Sequence, residues 1–565
     1  MRFKLRFVSV TGLVLTVAIL FTIILSPSQL KPALAADATT LTVAFSQEPD
    51  SLDSYYTNMA FAIWADYLGY ANLWDYDDHL KAVPVLAAEV PTVANGDLSA
   101  DGLTTLLKLK KGLLWSDGQP LTADDVVFTY QMILDKANKF TRGALIRDLV
   151  DTVSKVDDVT VKITTKKPSP YPENLAGVSN FQVLPMHVFK PIYDKDKSLE
   201  QADANQNPTV FSGPYMLKAW TRGSSLTYVV NPNFVGAKPK IQQIVIQFYP
   251  QPETAYAAMA AGQIDFIPNL QPADAKKLEG MSKDITTYSI YGSYRESLWL
   301  NMRDDKHPRS GNPALQDVHV RQAIRKAMDR RSLVKDLLFN KTTVADSLYA
   351  DSPFENKNIT FAEYDVAGAN KLLDDAGWTM GSDGVRAKNG VKLELIYGST
   401  TAAQRKANQA VIQQQLAKVG IKVTLQSYDS TKYFGPFLDG GIIKSGVDDI
   451  DEYANNTVTT NPANTRTFFC NDITSDKNPG GQNYIGYCNS DLDTLWLTTE
   501  QTLDPKAGQA AADKIQEILN TDVPVIILYN RNDIYAYRTS RFVEAPHIGA
   551  GITNQWYDIA NWQLK

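Results

Sequence analysis

Hydrophobic and polar positions recur along this chain with two periods, and each period predicts an element. A two-residue alternation runs through Leu41-Thr42-Val43-Ala44-Phe45, through Leu103, Thr105, Leu107 and Leu109, and through Ile421-Lys422-Val423-Thr424-Leu425, which predicts strands. Further strands are read at Ile241–Tyr249, Leu298–Leu300 and Val523–Tyr529, and a hairpin at Val153–Thr164 with Asp157-Asp158 at its tip. The helical period is clearest at Val320, Ala323, Ile324, Ala327 and Met328, with Asp317 standing where an N-cap would and Arg321, Arg325 and Lys326 on the wet side. Helices are also predicted after Thr122, where Asp125 completes a capping box, over Glu253–Ala261, over Asp365–Trp378 ended by Gly377, over Ala407–Leu416, and over Asp504–Leu519. Tyr55, Tyr56, Phe61 and Trp64 form an aromatic run on another helix, a pattern commoner in cores than on ligand platforms. Strands and helices in alternation argue for an α/β protein.

At 565 residues the chain exceeds one ordinary core, so two or three domains are expected. Its hydrophobic fraction of 44% and charged fraction of 21% suit a globular protein without low-complexity tracts. The N-terminus departs from that average. Basic Arg2, Lys4 and Arg6 precede an apolar run from Phe7 to Leu25, Pro27 and Pro32 interrupt the chain, and Ala33-Leu34-Ala35 has the small-x-small form of a signal-peptidase site. Residues 1–36 therefore read as an export signal. The run is also near membrane-spanning length, so an uncleaved anchor is the competing reading. The protein is expected to be exported, periplasmic or at the cell surface. The leader holds four basic and no acidic residues, so its removal shifts the net charge from −6 to −10, an acidic balance that does not suit a nucleic-acid partner.

Cys470 and Cys488 are the two cysteines, and in an exported chain they read as a disulfide, with two buried thiols as the alternative. No CxxC pair accompanies them, so no metal site is expected. No HExxH, Walker or GxSxG string occurs, and His79, His187, His307, His319 and His547 are scattered. Neither catalysis nor a cofactor is indicated. The densest charge cluster is Asp448-Asp449-Ile450-Asp451-Glu452, which reads either as a solvated loop or as the source of an acid for a ligand ammonium.

The passage Asn301…Asp317-Val318-x-Val320-Arg321-Gln322-Ala323-Ile324-x-x-Ala327-Met328-Asp329-Arg330 resembles the central signature of the family 5 extracellular solute-binding proteins. These are the peptide- and oligopeptide-binding components of ABC importers. Lys110–Tyr130, Ser212-Gly213-Pro214-Tyr215, Ala260–Phe266, Asp365–Trp378 and Pro524–Tyr529 match other family passages in the same order, so the resemblance spans nearly the whole chain after the leader. It implies an α/β, bilobal, periplasmic-binding-protein-like fold of type II with an extra inserted domain. On that division residues 37–78, 205–300 and 526–565 form lobe I, 79–204 the inserted domain and 301–525 lobe II. A peptide would bind between the lobes, in a monomer, and be delivered to membrane permease subunits.

By the same resemblance, ligand contacts fall on Tyr55, Phe181, Ser212, Gly213, Trp299, Asn301, Asp449, Asp451, Tyr453 and Arg466. Relatives hold the peptide amine with an aspartate in a "W-x-A-D-Y-x-x-P" passage. This chain offers only Asp451-Glu452-Tyr453-Ala454 there, with Asp449 or Asp451 as the expected anchor and Arg466 as a carboxylate clamp. The weak match keeps an oligosaccharide-binding member of the family as the alternative. Family lipoproteins carry a cysteine at the cleavage site, and this chain has none. N-terminal sequencing of exported protein is accordingly expected to start at Ala36 or Asp37; an intact Phe7–Leu25 segment would mean an anchor instead.

Overall fold

The computed structural model describes residues 38–57, 59–178, 181–304, 311–456, 466–549 and 554–565, so the leader read from residues 1–36 lies outside them. Among the described residues, no helix is long and apolar enough to cross a membrane. A ten-stranded mixed sheet runs through the molecule. Its strands are β1 (Thr40–Phe45), β2 (Tyr215–Thr221), β3 (Ser225–Val230), β4 (Gln243–Phe248), β5 (Phe266–Ile267), β6 (Ile285–Leu300), β7 (Glu394–Thr400), β8 (Lys422–Tyr428), β9 (Ile450–Asn456) and β10 (Val525–Arg538). Their spatial order is β8-β7-β9-β6-β10-β5-β1-β4-β3-β2. β1 pairs in parallel with β4 and β5, and β7 in parallel with β8 and β9. Leu41, Val43 and Phe45 of β1 pack into one cluster and Ala44 into another, so this strand is covered on both faces, as parallel sheets require.

Two of these strands are unusually long, and they cross the whole molecule. β6 has 16 residues and β10 has 14, and they pair antiparallel from Ile285 opposite Arg538 to Trp299 opposite Val525. Ile285, Ile534 and Ala536 belong to the core of one half, where β1 and the helix Pro252–Ala260 pack. Leu298, Leu300, Ile526 and Leu528 belong to the core of the other half. Midway, the register shifts between Ile290 and Tyr294, so Tyr291, Gly292 and Ser293 pass the partner strand as a bulge. Gly292 is dictated by close approach: a Cβ there would lie 1.9 Å from the Arg531 carbonyl oxygen. A separate three-stranded sheet (Thr104–Lys108, Thr160–Thr165, Val150–Asp157) sits in the first half beside the helix Ala123–Leu134.

Local signals are realised where they are self-contained. Thr122 and Asp125 form the capping box, and Asp317 accepts the His319 amide at 3.0 Å to open the helix Val318–Lys326. Val320, Ala323, Ile324, Ala327 and Met328 are all buried in one cluster. Arg321 does not follow the expected wet face. It is buried, and donates through Nε to the Asp522 carbonyl at 2.7 Å and through Nη1 to the Leu315 carbonyl at 2.7 Å. Arg325 donates to the Asn520 carbonyl at 3.0 Å. Both guanidinium groups satisfy carbonyls at the end of the helix Pro505–Asp522, which would otherwise lack partners. Polarity alone marked them as exposed; a neighbouring helix end supplied the reason for the burial of Arg321 and the partial burial of Arg325.

The bulge gives a stability test. Gly292→Ala must displace backbone on the partner strand and is expected to cost about 2 kcal/mol or more. Gly280→Ala, in the helix Pro272–Met281 with no atom within 4 Å of the added Cβ, is expected to be neutral or slightly stabilising. Thermal unfolding of the two variants side by side checks this; a Gly292→Ala protein as stable as wild type would remove the bulge as a constraint.

Candidate functional site

A cavity of about 1300 Å³ opens where β6 and β10 pass between the two halves. Its floor is the bulged middle of the crossing pair: Ser293, Tyr294 and Glu296 from β6, and Tyr529 to Ile534 from β10. The first half contributes Ile63, Trp64 and Tyr67 from the helix Ala60–Gly69, the loop Thr141–Leu145, and the segment from Lys167 to Gly177. The second half contributes Leu338, Lys341, Thr342, Gln404, Arg405 and Glu500. Contacts between the halves close one rim. Lys167 Nζ lies 3.5 Å from Glu500 Oε2, and the Tyr171 and Phe354 rings meet edge to face with centroids 6.4 Å apart.

The walls carry both signs of charge, and most of these charges pair with one another. Glu296 is buried and accepts from Arg405 Nε at 2.7 Å, with Arg531 Nη1 at 3.8 Å on its other side. Lys341 meets Glu279 at 2.5 Å and Thr287 Oγ1 at 2.8 Å. Asp533 differs: its carboxyl has no hydrogen bond or ion pair among the described residues, and burial raises its pKa from 3.8 to about 7. Behind the wall, Tyr529 accepts from Asn408 Nδ2 at 3.1 Å. Asn408 also donates to Glu452 at 2.7 Å, and Tyr397 donates to the other Glu452 oxygen at 2.5 Å. Burial first, and the nearby Glu296 second, push the Glu452 carboxyl upward, toward its neutral form.

The expected ligand contacts sit elsewhere. Tyr55 is buried, stacked on Phe140 at 4.6 Å, with its hydroxyl donating to the Gln182 carbonyl at 2.7 Å. Phe181 is buried and stacked on Tyr130 at 4.5 Å. Ser212 accepts the Ala71 amide at 3.1 Å, and Gly213 packs so closely on Gly69 that a Cβ would lie 2.7 Å from its backbone. Trp299 and Tyr453 stack on each other at 5.0 Å within the second half's core. Asn301 Nδ2 donates to the Gly446 and Asp448 carbonyls at 3.1 and 3.0 Å. None of these seven lines the cavity. The Arg466 side chain lies outside the described residues.

The acid cluster is not the solvated loop that its charge density suggests. Ile450–Asn456 is an interior strand between β6 and β7, and Asp448, Asp451 and Glu452 are all buried. Asp449 accepts the backbone amides of Asn312 and Ile396 at 3.0 and 2.8 Å. Asp451 accepts the Tyr433 hydroxyl at 3.0 Å, and burial, then Asp448, drive its carboxyl far up. Both aspartates serve the lobe interior and neither reaches the cavity. Cys470 and Cys488 are joined by a disulfide in the same half. Sequence reasoning missed Asp533, Glu296 and Arg405. The available signal for Asp533 was the polar break Asn530-Arg531-Asn532-Asp533 inside an otherwise apolar strand.

A cleft between two α/β halves joined by crossing strands defines the class of extracytoplasmic solute-binding proteins. The profile of the bacterial extracellular solute-binding proteins, family 5, matches residues 81–463, and the chain belongs to that family. It is 26% identical over 510 residues to the oligopeptide-binding protein AppA of Bacillus subtilis, covering 87% of this chain and 86% of that one. It is 27% identical over 351 residues to the nickel-binding periplasmic protein of Escherichia coli, covering 60% of this chain and 63% of that one. Among solved structures, the ABC transporter substrate-binding protein CtaP of Listeria monocytogenes superposes with a TM-score of 0.77 at 24% identity, covering 93% of this chain and 99% of that one. The Bacillus subtilis AppA structure, in complex with a nonapeptide, gives 0.66 at 24% identity with the same coverage. The fold is thus the mixed α/β, bilobal family 5 type.

The buried glutamate has a pH signature. Its folded pKa lies above the ordinary 4.5, so its contribution to stability is complete below that value and drains as pH climbs toward the raised one. The stability of Glu452→Gln relative to wild type is therefore expected to rise with pH from 4.5 through neutrality. Denaturant titrations across that range test it; a flat difference would mean that Glu452 is ionised in the folded protein.

Proposed function

We propose that this chain is the exported, non-enzymatic solute receptor of an ABC importer, binding oligopeptides in the interlobe cavity and presenting them to a membrane permease. The division into lobe I (37–78, 205–300, 526–565), inserted domain (79–204) and lobe II (301–525) belongs to this reading. The observation that carries it is the cavity: about 1300 Å³, aromatic at Trp64, Tyr67, Tyr294 and Tyr529, and charged with both signs. Small-molecule pockets occupy roughly 300–1,000 Å³, so this one suits an oligomer. Mixed charge suits a zwitterionic chain better than a neutral oligosaccharide. His79, His187, His319 and His547 all lie off the cavity lining, which favours a peptide over a bare metal cation as cargo.

Mass spectrometry of ligand carried through purification is expected to find short peptides. Added peptides of three to nine residues should raise the thermal midpoint, with roughly 2.7 kcal/mol of stabilisation at a hundredfold excess over Kd. Oligosaccharide in the purified protein, or a midpoint that moves with oligosaccharides and not with peptides, would overturn the peptide reading.

A further inference from the structure

We propose that Asp533 is the anchor for a cationic group of the ligand, fixing it on the crossing strand β10 at the cavity floor. This rests on the reading of the cavity as a peptide site. Three observations carry it. Asp533 lines the cavity from the middle of β10, opposite Ile290 at the edge of the bulge. Its carboxyl has no hydrogen-bond or ion-pair partner among the described residues, while its neighbours are spoken for: Glu296 by Arg405 and Arg531, and Glu500 by Lys167. Finally, the one cation that lowers its pKa, Arg531, directs its guanidinium at Glu296 instead.

Asp533 is partly exposed at the cavity floor, and a carboxylate that faces a cleft without a protein partner is satisfied there by water alone, which a bound ligand displaces. A ligand ammonium supplies the missing partner. It forms charge-assisted hydrogen bonds and restores the ionised form that burial disfavours. The site selects a cation by what it lacks. Asp449 and Asp451 have no such need, because backbone amides and Tyr433 already occupy their oxygens.

A peptide can present that cation at its α-amine or on a basic side chain. The test uses three pools of tetrapeptides with wild type and Asp533→Asn: free N-termini without Lys, Arg or His; the same pool N-acetylated; and an N-acetylated pool containing Lys and Arg. Affinities come from native mass spectrometry and calorimetry. Wild type is expected to prefer the first or the third pool over the second by about 100-fold or more, and Asp533→Asn to abolish that preference. Preference for the first pool identifies the α-amine; preference for the third identifies the side chain. Equal binding of all pools, or a preference that survives Asp533→Asn, overturns the assignment while leaving the peptide reading intact. Binding of no pool by wild type overturns both. Ligand-free Asp533→Asn is expected to unfold at or above the wild-type temperature, since no protein group pairs with the carboxyl it loses. A lower midpoint would mark Asp533 as structural and refute the anchor.

Discussion

The antiparallel pairing of Ile285–Leu300 with Val525–Arg538 is the interaction on which the rest of this molecule depends. Each strand contributes side chains to the core of both halves, so neither half is complete without a segment that begins in the other. A sheet ladder is stiff along its hydrogen-bonded length, and its weak point is the bulge between Ile290 and Tyr294. The cavity opens at that same level, its floor built from the bulge and the residues opposite. Site and bulge coincide at one level of the crossing pair.

The second half spends its acidic residues on its own interior. Asp449 satisfies two backbone amides, Asp451 and Glu452 accept tyrosine hydroxyls, and Glu452 also accepts from Asn408. Each carboxyl is pushed toward its neutral form by burial, which removes the cost of an unpaired charge while keeping hydrogen-bonding capacity. The arrangement makes β9 a polar but dry strand, flanked by β6 and β7. Through Asn408 and Tyr529 it reaches the back of the cavity wall.

What could be read from the residues follows the range of the interactions. The capping box at Thr122, the cap at Asp317 and the buried stripe from Val320 to Met328 depend on residues within a few positions of each other, and the structure contains them. The family passages located the fold for the same reason: turns and caps are local. The acid cluster at Asp448–Glu452 was misread because its partners, Tyr397, Tyr433, Asn312 and Ile396, come from elsewhere in the chain. Arg321 and Arg325 were misread because a helix end some two hundred positions later accepts their hydrogen bonds. The cavity was least legible. Its floor joins β6 to β10, and its walls come from several further segments that no window of sequence places together.

A carboxylate on the crossing strand differs physically from one on either half. An anchor within lobe II would hold the ligand to that lobe, and closure would then have to bring the other lobe to it. Asp533 sits on the pair that belongs to both halves, so a ligand held there would face walls contributed by each. Trp64 and Tyr67 line the cavity from one side and Arg405 from the other, and Lys167 meets Glu500 across the rim. If the proposed anchor holds the ligand, a closed form would have to gain its differential affinity from such wall and rim contacts, because an anchor on the shared strand would be common to both states. On that proposal, cation recognition on β10 and closure on the two walls would be separable.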